Sequence, residues 1–493
     1  MANRLFFWLD TEFLYFCLSY YLQKSSDADL FAIIDVPSNT KKFFENQDLV
    51  KFKQKWYLHN HIKPSSTIDY DYLENFEKKY KINLWQLALN ERIFYKHNKF
   101  YKFTSIEILS ILENECKLFE KILDDVQPTH FITKQTIQHK DHLFFNMCKK
   151  RNIKTIVTYI PKSGYGCMIS ENLHKMDNLD EYNQIKGSQR GFLDFQNYMS
   201  NHNPSNQIKK YSKNFSTSKS KLSSAAIQFL FYSNNLSSRE NFTHYGHSKM
   251  KTIIDRLTFS YQKKIRLNFL NKTLEKSIKD EPFIYYPLPV DLERENLIAN
   301  PYYTNTLEVI RNIAKSIPIE FKLYVKEHPG QKIRNWRSIE EYKKIMEIPN
   351  VVLLHPSVST IDLYKKCSLV VSLGGSPGFE ASIYQKPSII FADLDYTILP
   401  SVTKIDSIED LHSTIVDSLK KPVLADDIDR YLTLVEKNTV NFDVHGFTID
   451  EFEYFFYGGH MEDVDIEVSK MEDFLTLKKP DLTLLSNEIM KKL

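Results

Sequence analysis

The sequence predicts an α/β protein built from two Rossmann-like domains facing across a cleft. Three observations carry that prediction. Short apolar runs alternate with amphipathic helical stretches near the start of the chain and again in its last third. The connections in the last third are only a few residues long. And 493 residues are too many for one ordinary domain.

Taken in order, Leu5–Leu9 reads as a strand, Glu12–Gln23 as a helix and Leu30–Val36 as a second strand. Residues 41–103 mix Lys, Tyr and Asn without a clear period and receive no assignment. From Thr104 to Asp125, Ile108, Ile111, Leu112, Cys116, Phe119, Ile122 and Leu123 recur at helical spacing. Thr129–Ile132 is a short strand, a helix runs through Phe144–Cys148, and Ile153–Ile160 is a strand that ends near Gly164-Tyr165-Gly166. Residues 185–238 read as a polar connector, with Asn203-Pro204-Ser205-Asn206 and Ser216–Ser220 as its loop-like parts. Basic helical sequence resumes over Lys249–Lys279, where a solvated helix face is the first reading and a lipid- or polysaccharide-binding face the second.

The last third is the most regular. Strands are expected at Phe283–Leu288, Phe321–Val325, Val351–Leu354, Ser368–Leu373 and Ser388–Phe391. Helices alternate with them at Thr304–Ser316, Ser338–Met346, Ile361–Cys367, Pro377–Tyr384 and Ser407–Lys420. The units read as an N-terminal domain over 1–280, a nucleotide-binding domain over 281–425 and a tail over 426–493.

Composition narrows the function classes. Lys and Arg number 65 against 62 Asp and Glu, a net charge of +3, so nothing points to nucleic acid as a partner. Five scattered cysteines form no CxxC pair, which argues against a zinc site or a disulfide framework and fits a reducing cytoplasm. Asp10 and Glu12 interrupt the first apolar run, so it does not read as a signal peptide, and no apolar run is long enough to span a membrane. His59, His61, His139 and His142 are not spaced as a metal set, and His139 and Asp141 read as surface residues.

With only 12 glycines in the chain, a cluster of them is informative. Gly374, Gly375 and Gly378 surround Ser376 and Pro377, between a strand and a helix. Ser376 suits an N-cap and Pro377 the first helical position. Such a turn lets backbone N–H groups approach a phosphate. Glu380 is off register for a capping box and so is free to accept hydrogen bonds from ribose hydroxyls. A tight strand–helix turn with a solvated Glu is the plainer alternative. Lys326-Glu327-His328-Pro329-Gly330 stands at another strand tip, where Lys326 and His328 can meet a leaving phosphate. Asp10, after the first strand, is a candidate base or nucleophile for sugar transfer, or else a helix cap with Glu12 in the first turn. Gly164 and Gly166 line the acceptor side or merely turn the chain.

Five blocks in order carry a resemblance. They are Tyr285–Leu288, Leu323–Pro329, Ile348–Val351, Gly375–Ala381 and Lys386–Phe391. Together they resemble the bacterial capsule polysaccharide biosynthesis family, which is related to Kdo transferases and more loosely to sialyltransferases with His-Pro motifs. The resemblance implies a GT-B fold and a nucleotide-sugar donor, CMP-linked in Kdo and sialic acid members, with no metal and no other cofactor. It also implies that His328, Ser376 and Glu380 hold the nucleotide phosphate and ribose, and that the last helix, Asp481–Leu493, packs back across the N-terminal domain. The family usually has Pro-Leu-His followed by Pro-Glu after the first strand of this domain. Here Pro289 takes the place of the His and Leu292 that of the Pro, and Glu293 is kept.

The expected function is a cytoplasmic glycosyltransferase of surface polysaccharide assembly, working at the inner face of the membrane, with a Kdo- or nonulosonate-like donor. Its acceptor is a saccharide or lipid-linked saccharide. His328 and Asp10 are the expected catalytic residues, and Lys326, Gly375, Ser376, Gly378, Glu380 and Glu293 the substrate-binding ones. The alternatives are a teichoic-acid-like polyol-phosphate transferase or a sugar-nucleotide epimerase on the same fold, and a non-catalytic polysaccharide-binding or export subunit.

Overall fold

The computed structural model describes residues 3–493 apart from Tyr165, 203–218, 233–239 and Leu292, and not the side chains of His202, Lys219, Ser220, Tyr232 and Glu295. Two sheets organise it. The first is formed by β1 (Arg4–Leu9), β2 (Asp29–Ile34), β3 (Gln54–Tyr57), β4 (His130–Lys134), β5 (Lys154–Tyr159) and β6 (Cys167–Ser170). The second is formed by β7 (Phe283–Pro287), β8 (Lys322–Lys326), β9 (Val351–Leu354), β10 (Leu369–Ser372), β11 (Ser388–Ile390) and β12 (Val402–Lys404). Late in the chain, β13 (Thr439–Val440) returns to the first sheet and pairs antiparallel with β6.

The second sheet runs β9-β8-β7-β10-β11-β12 and is parallel throughout, the Rossmann order. The first runs β3-β2-β1-β4-β5 in the same sense and then adds β6 and β13 as an antiparallel edge. Each sheet therefore has a switch point where the strand order reverses, between β1 and β4 and between β7 and β10. A crevice opens at the carboxyl ends of the strands there.

Period-two alternation explains the layering. From β1, Leu5, Phe7 and Leu9 face one core while Phe6 and Trp8 face the other. The Phe6–Trp8 side is covered by the helix Ser105–Val126, which Thr104 opens with a complete capping box, and by His139–Lys150. The Leu5–Phe7–Leu9 side is covered by the helix Leu14–Ser25 and by Phe442, Phe447, Phe474, Leu482 and Ile489 from the end of the chain. The stretch 41–103 holds short elements, among them the helices Tyr70–Tyr80 and Leu84–Asn90.

Two expectations need correction. The connector over 185–238 contains the helices Phe192–His202 and Lys219–Ile227, and its loop-like runs Asn203–Asn206 and Ser216–Ser218 lie outside the described residues. His139 and Asp141 are buried rather than on the surface. Asp141 accepts from the N–H groups of Ile137 and Gln138, both at 2.9 Å, and His139 sits between Glu91 and Glu115 at 2.8 and 3.0 Å. Burial opposes the charged ring, yet the two carboxylates outweigh it and raise His139 to about 10.

The two sheets meet along one side. Asp395, buried beyond β11, accepts from Tyr159 Oη at 3.0 Å and from the Met176 N–H at 2.6 Å. Among the described residues no helix is long and apolar enough to cross a membrane.

Candidate functional site

Both switch points carry residues singled out from the sequence. At the β7/β10 crevice the chain leaves β10 through Gly374, Gly375 and Ser376 and enters the helix Pro377–Ile383. Gly375 has φ +76°, a backbone state that glycine adopts without strain. Among the described residues, no protein group accepts from the backbone N–H groups of Gly374, Gly375 or Ser376. Three donors thus stand open at the tip of a parallel strand, the arrangement that binds anions.

Gly378 has a different job from the one expected of it. A Cβ there would come within 2.8 Å of Ile390 and 3.0 Å of Tyr396, so the glycine lets the helix lie close on β11. Ser376 also departs from expectation. It occupies the N-cap position without a capping bond, and its hydroxyl donates to Glu380 Oε1 at 2.5 Å. Glu380 is therefore tied to its own helix start, not free, and the Ser376–Glu380 spacing of four residues explains the pairing.

His328 follows β8, two strands away from β10 in the sheet, or about 10 Å at the usual strand spacing. Its Nδ1 accepts the Gly330 N–H at 3.0 Å. A neutral ring held this way carries its proton on Nε2. Crowding by protein atoms, with Lys326 and Arg337 nearby, lowers the ring to about 4. Solvent also reaches His328, so the direction toward the neutral form is what matters. The imidazole offers a hydrogen bond rather than a charge.

Lys326 is buried, and its Nζ donates to Thr360 Oγ1 at 2.6 Å at the start of the helix Thr360–Lys366. Sequence reasoning missed the element that fixes this strand tip. Glu327 is fully buried; it accepts from the His328 N–H at 2.8 Å, Tyr342 Oη at 2.7 Å and Arg337 Nε at 3.0 Å. Arg337 also bonds Asp291 and the Pro289 carbonyl. Pro289, which stands where the resemblance leads one to expect His, thus serves through its backbone; Leu292 lies outside the described residues. Glu293 is exposed just beyond, within electrostatic reach of Arg92 from the first domain.

At the β1/β4 crevice, Asp10 and Glu12 both pair with Lys134 from β4, at 2.8 and 2.9 Å. Asp10 does not cap the following helix, whose N-cap is Phe13; its Oδ1 accepts from the Glu12 N–H at 2.9 Å. Burial raises the Asp10 carboxyl against the pull of Lys134. Next to it Asp35, missed in the sequence, accepts from Lys140 at 2.6 Å and His59 at 2.9 Å. Burial would push Asp35 up, but Lys140 and His59 outweigh it and hold it ionised. Asp10, Asp35, Lys134, Arg92 and His97 line a cleft of about 480 Å³. Beside this cleft the two domains touch: Arg294 Nε donates to the Thr136 carbonyl and Asn90 Nδ2 to the Pro301 carbonyl at 3.0 Å. Gly164 and Gly166 lie elsewhere, Gly166 against Thr439 and Val440, where they turn the chain; Tyr165 is outside the described residues.

Two Rossmann-like domains with facing crevices define a GT-B-like α/β fold. The family model described as capsule polysaccharide biosynthesis protein matches residues 194–407, less than half of the chain but all five motif blocks. The chain is thus similar to that family across the β7/β10 crevice. No curated protein matches. Among solved structures, the UDP-GlcNAc 2-epimerase of Methanocaldococcus jannaschii is 14% identical at a TM-score of 0.25, with 89% of this chain and 99% of that one covered. The Neisseria meningitidis UDP-GlcNAc 2-epimerase bound to UDP-GlcNAc is 13% identical at 0.26, covering 88% and 99%. KpsC of Thermosulfurimonas dismutans, a beta Kdo 2,7 transferase, is 10% identical at 0.28, covering 65% and 89%. Likenesses this loose carry no argument about chemistry.

Proposed function

We propose that this chain is a glycosyltransferase of capsule or other surface polysaccharide assembly. It takes a nucleotide-activated sugar, CMP-linked and Kdo- or nonulosonate-like, and passes the sugar to a saccharide or lipid-linked saccharide on the cytoplasmic side of the membrane. One observation carries the reading: three open backbone N–H groups at Gly374–Ser376 and a neutral imidazole donor at His328 share the carboxyl edge of one parallel sheet. The match to the capsule family over the same residues supports it.

In this reading 281–425 is the donor unit, and 1–280 together with the tail 426–493 is the acceptor unit. Charge builds on the leaving phosphate as the glycosidic bond to it breaks. The N–H groups and His328 Nε2–H meet that charge with fixed dipoles, in the part a metal plays in other transferases. Glu380, held by Ser376, turns its remaining lone pairs to ribose, and Glu293 faces the donor from the β7 side. Asp10 serves the acceptor side; its raised pKa suits a group that takes a proton from a hydroxyl.

The test is thermal melting with CMP, CDP and UDP in turn, followed by product analysis. A ligand at 100 times its Kd adds about 2.7 kcal/mol to stability, so cytidine nucleotides raise the melting temperature visibly. Absence of a shift with any of the nucleotides overturns the reading in favour of a non-catalytic polysaccharide binder. A product that carries phosphate along with the transferred group identifies a polyol-phosphate transferase instead.

A further inference from the structure

The helix Lys249–Thr273 is 25 residues long, and Leu270 is the only one buried. It would span about 37 Å. Met250, Ile254, Leu257, Tyr261 and Ile265 follow one another at steps of four, three, four and four, which puts them on one face. That face is open: the five are 69, 54, 67, 68 and 41% exposed. A stripe of large apolar side chains turned to water along a whole helix is an interaction surface.

Charge selects the partner. The helix carries seven Lys and Arg against one acid, Asp255, and that acid is paired with Lys99 at 3.3 Å. Lys251 and Lys264 border the stripe on its two sides, while Lys249, Arg256 and Lys263 lie on the opposite side, where Arg256 donates to the His460 carbonyl at 3.2 Å. A second copy laid on this face would bring like charges together, so self-association is opposed. An anionic surface is matched on both counts: headgroup charge to the basic flanks and acyl chains to the stripe. The neighbouring segment Gln228–Tyr232 also exposes Leu230 and Phe231, 47 and 76%, and Lys249 Nζ ties it to the helix by donating to the Leu230 carbonyl at 2.8 Å.

We propose that the Met250–Ile265 face docks this protein on an anionic lipid bilayer, with the helix lying in the headgroup plane. A groove of about 570 Å³ between the two segments shares Phe100, His244, His247 and Glu462 with the Asp10 cleft. On this helix the groove is lined by Lys249, Thr252, Ile253 and Arg256 and by none of the stripe residues, so docking leaves it open behind the helix. The docking itself stands apart from the transferase reading; only its service to a lipid-borne acceptor rests on that reading.

The experiment sediments the full chain with phosphatidylcholine vesicles, with and without about one third phosphatidylglycerol, at low and high salt. The expected result is binding to the anionic vesicles that salt weakens. The paired substitution Leu257→Glu and Tyr261→Glu should weaken it at least about tenfold, and Lys251→Gln with Lys264→Gln should lessen the preference for phosphatidylglycerol. These positions are exposed or half-buried, so circular dichroism and the melting temperature should not change. Absence of binding to anionic vesicles overturns the proposal, as does binding that the Leu257/Tyr261 pair leaves intact. A dimer in light scattering that the same pair abolishes would assign the face to a second copy instead. Nucleotide-induced melting shifts in these variants report on the transferase reading separately.

Discussion

Replacing His328 with alanine removes a hydrogen-bond donor from the β7/β10 crevice while sparing the core, because the ring is open to solvent and makes one protein hydrogen bond, to the Gly330 N–H. Water can take over that N–H, so the loss of stability stays at the low end of the usual 0.5–1.5 kcal/mol or so for a hydrogen bond. The catalytic loss is larger. A preorganised donor aimed at developing charge is worth roughly 2.7–4 kcal/mol, or about 10²–10³ in kcat. The assay is nucleotide release by the purified protein at saturating donor, beside a melting curve. Turnover should fall about a hundredfold or more with the melting temperature nearly unchanged, and His328→Asn should recover part of the loss by restoring an N–H. The charge state adds a second readout. A ring pulled down to about 4 is neutral at working pH, so its contribution is flat from about pH 6 to 8. Turnover within about threefold of the parent protein refutes the role. A rate that drops about tenfold per pH unit across that range refutes the neutral donor and makes His328 an acid.

Three further outcomes follow from buried charge. Arg337→Met strands the Glu327 carboxylate in the core and should lower the unfolding midpoint of the second domain in urea by the equivalent of about 3–5 kcal/mol; an unmoved midpoint contradicts the network. Glu451 is fully buried, accepts the Phe13 N–H at 3.0 Å and, among the described residues, has no partner for Oε2; burial holds its carboxyl protonated far above the ordinary range. Its stabilising effect is thus complete below about pH 4.5 and fades as pH rises, so Glu451→Gln should gain stability over the parent between pH 7 and 9; a parallel pH profile for the two proteins sinks this account. Burial also lowers His142 to about 3 and His244 to about 4. Between those values and 6.5 the unfolded chain binds more protons than the folded one, so melting temperature should fall as pH drops from 6.5 toward 4, and a flat profile there would show these rings are not neutral.

Much of the fold was legible because the strands of the second sheet are short, apolar and separated by amphipathic helices, and the glycine turn and His328 fall on strand tips where that alternation puts them. The stretch 41–103 was not, since its one strand, Gln54–Tyr57, lies at a sheet edge with polar side chains and its helices are short. Partners distant in sequence escaped as well. Asp35 meets Lys140 across 105 positions, and nothing near either residue signals the other. His139 and Asp141 passed for surface because their polar character is answered by Glu91, Glu115 and backbone N–H groups brought in by folding. The Ser376–Glu380 spacing is four residues, one more than a capping box needs, and so in the sequence Glu380 reads as free.

The covering of one face of the first sheet by Phe442, Phe447, Phe474, Leu482 and Ile489 sets an order on biogenesis. While the ribosome is still making the chain, Leu5, Phe7, Leu30 and Ile34 have been out of the tunnel for hundreds of residues without their lid. The second sheet, whose strands all lie between 283 and 404, has everything it needs before that lid is synthesised. The unit made first is therefore the one completed last, and a nascent or truncated chain that ends before the final helices presents a greasy half-sheet to chaperones and to its neighbours.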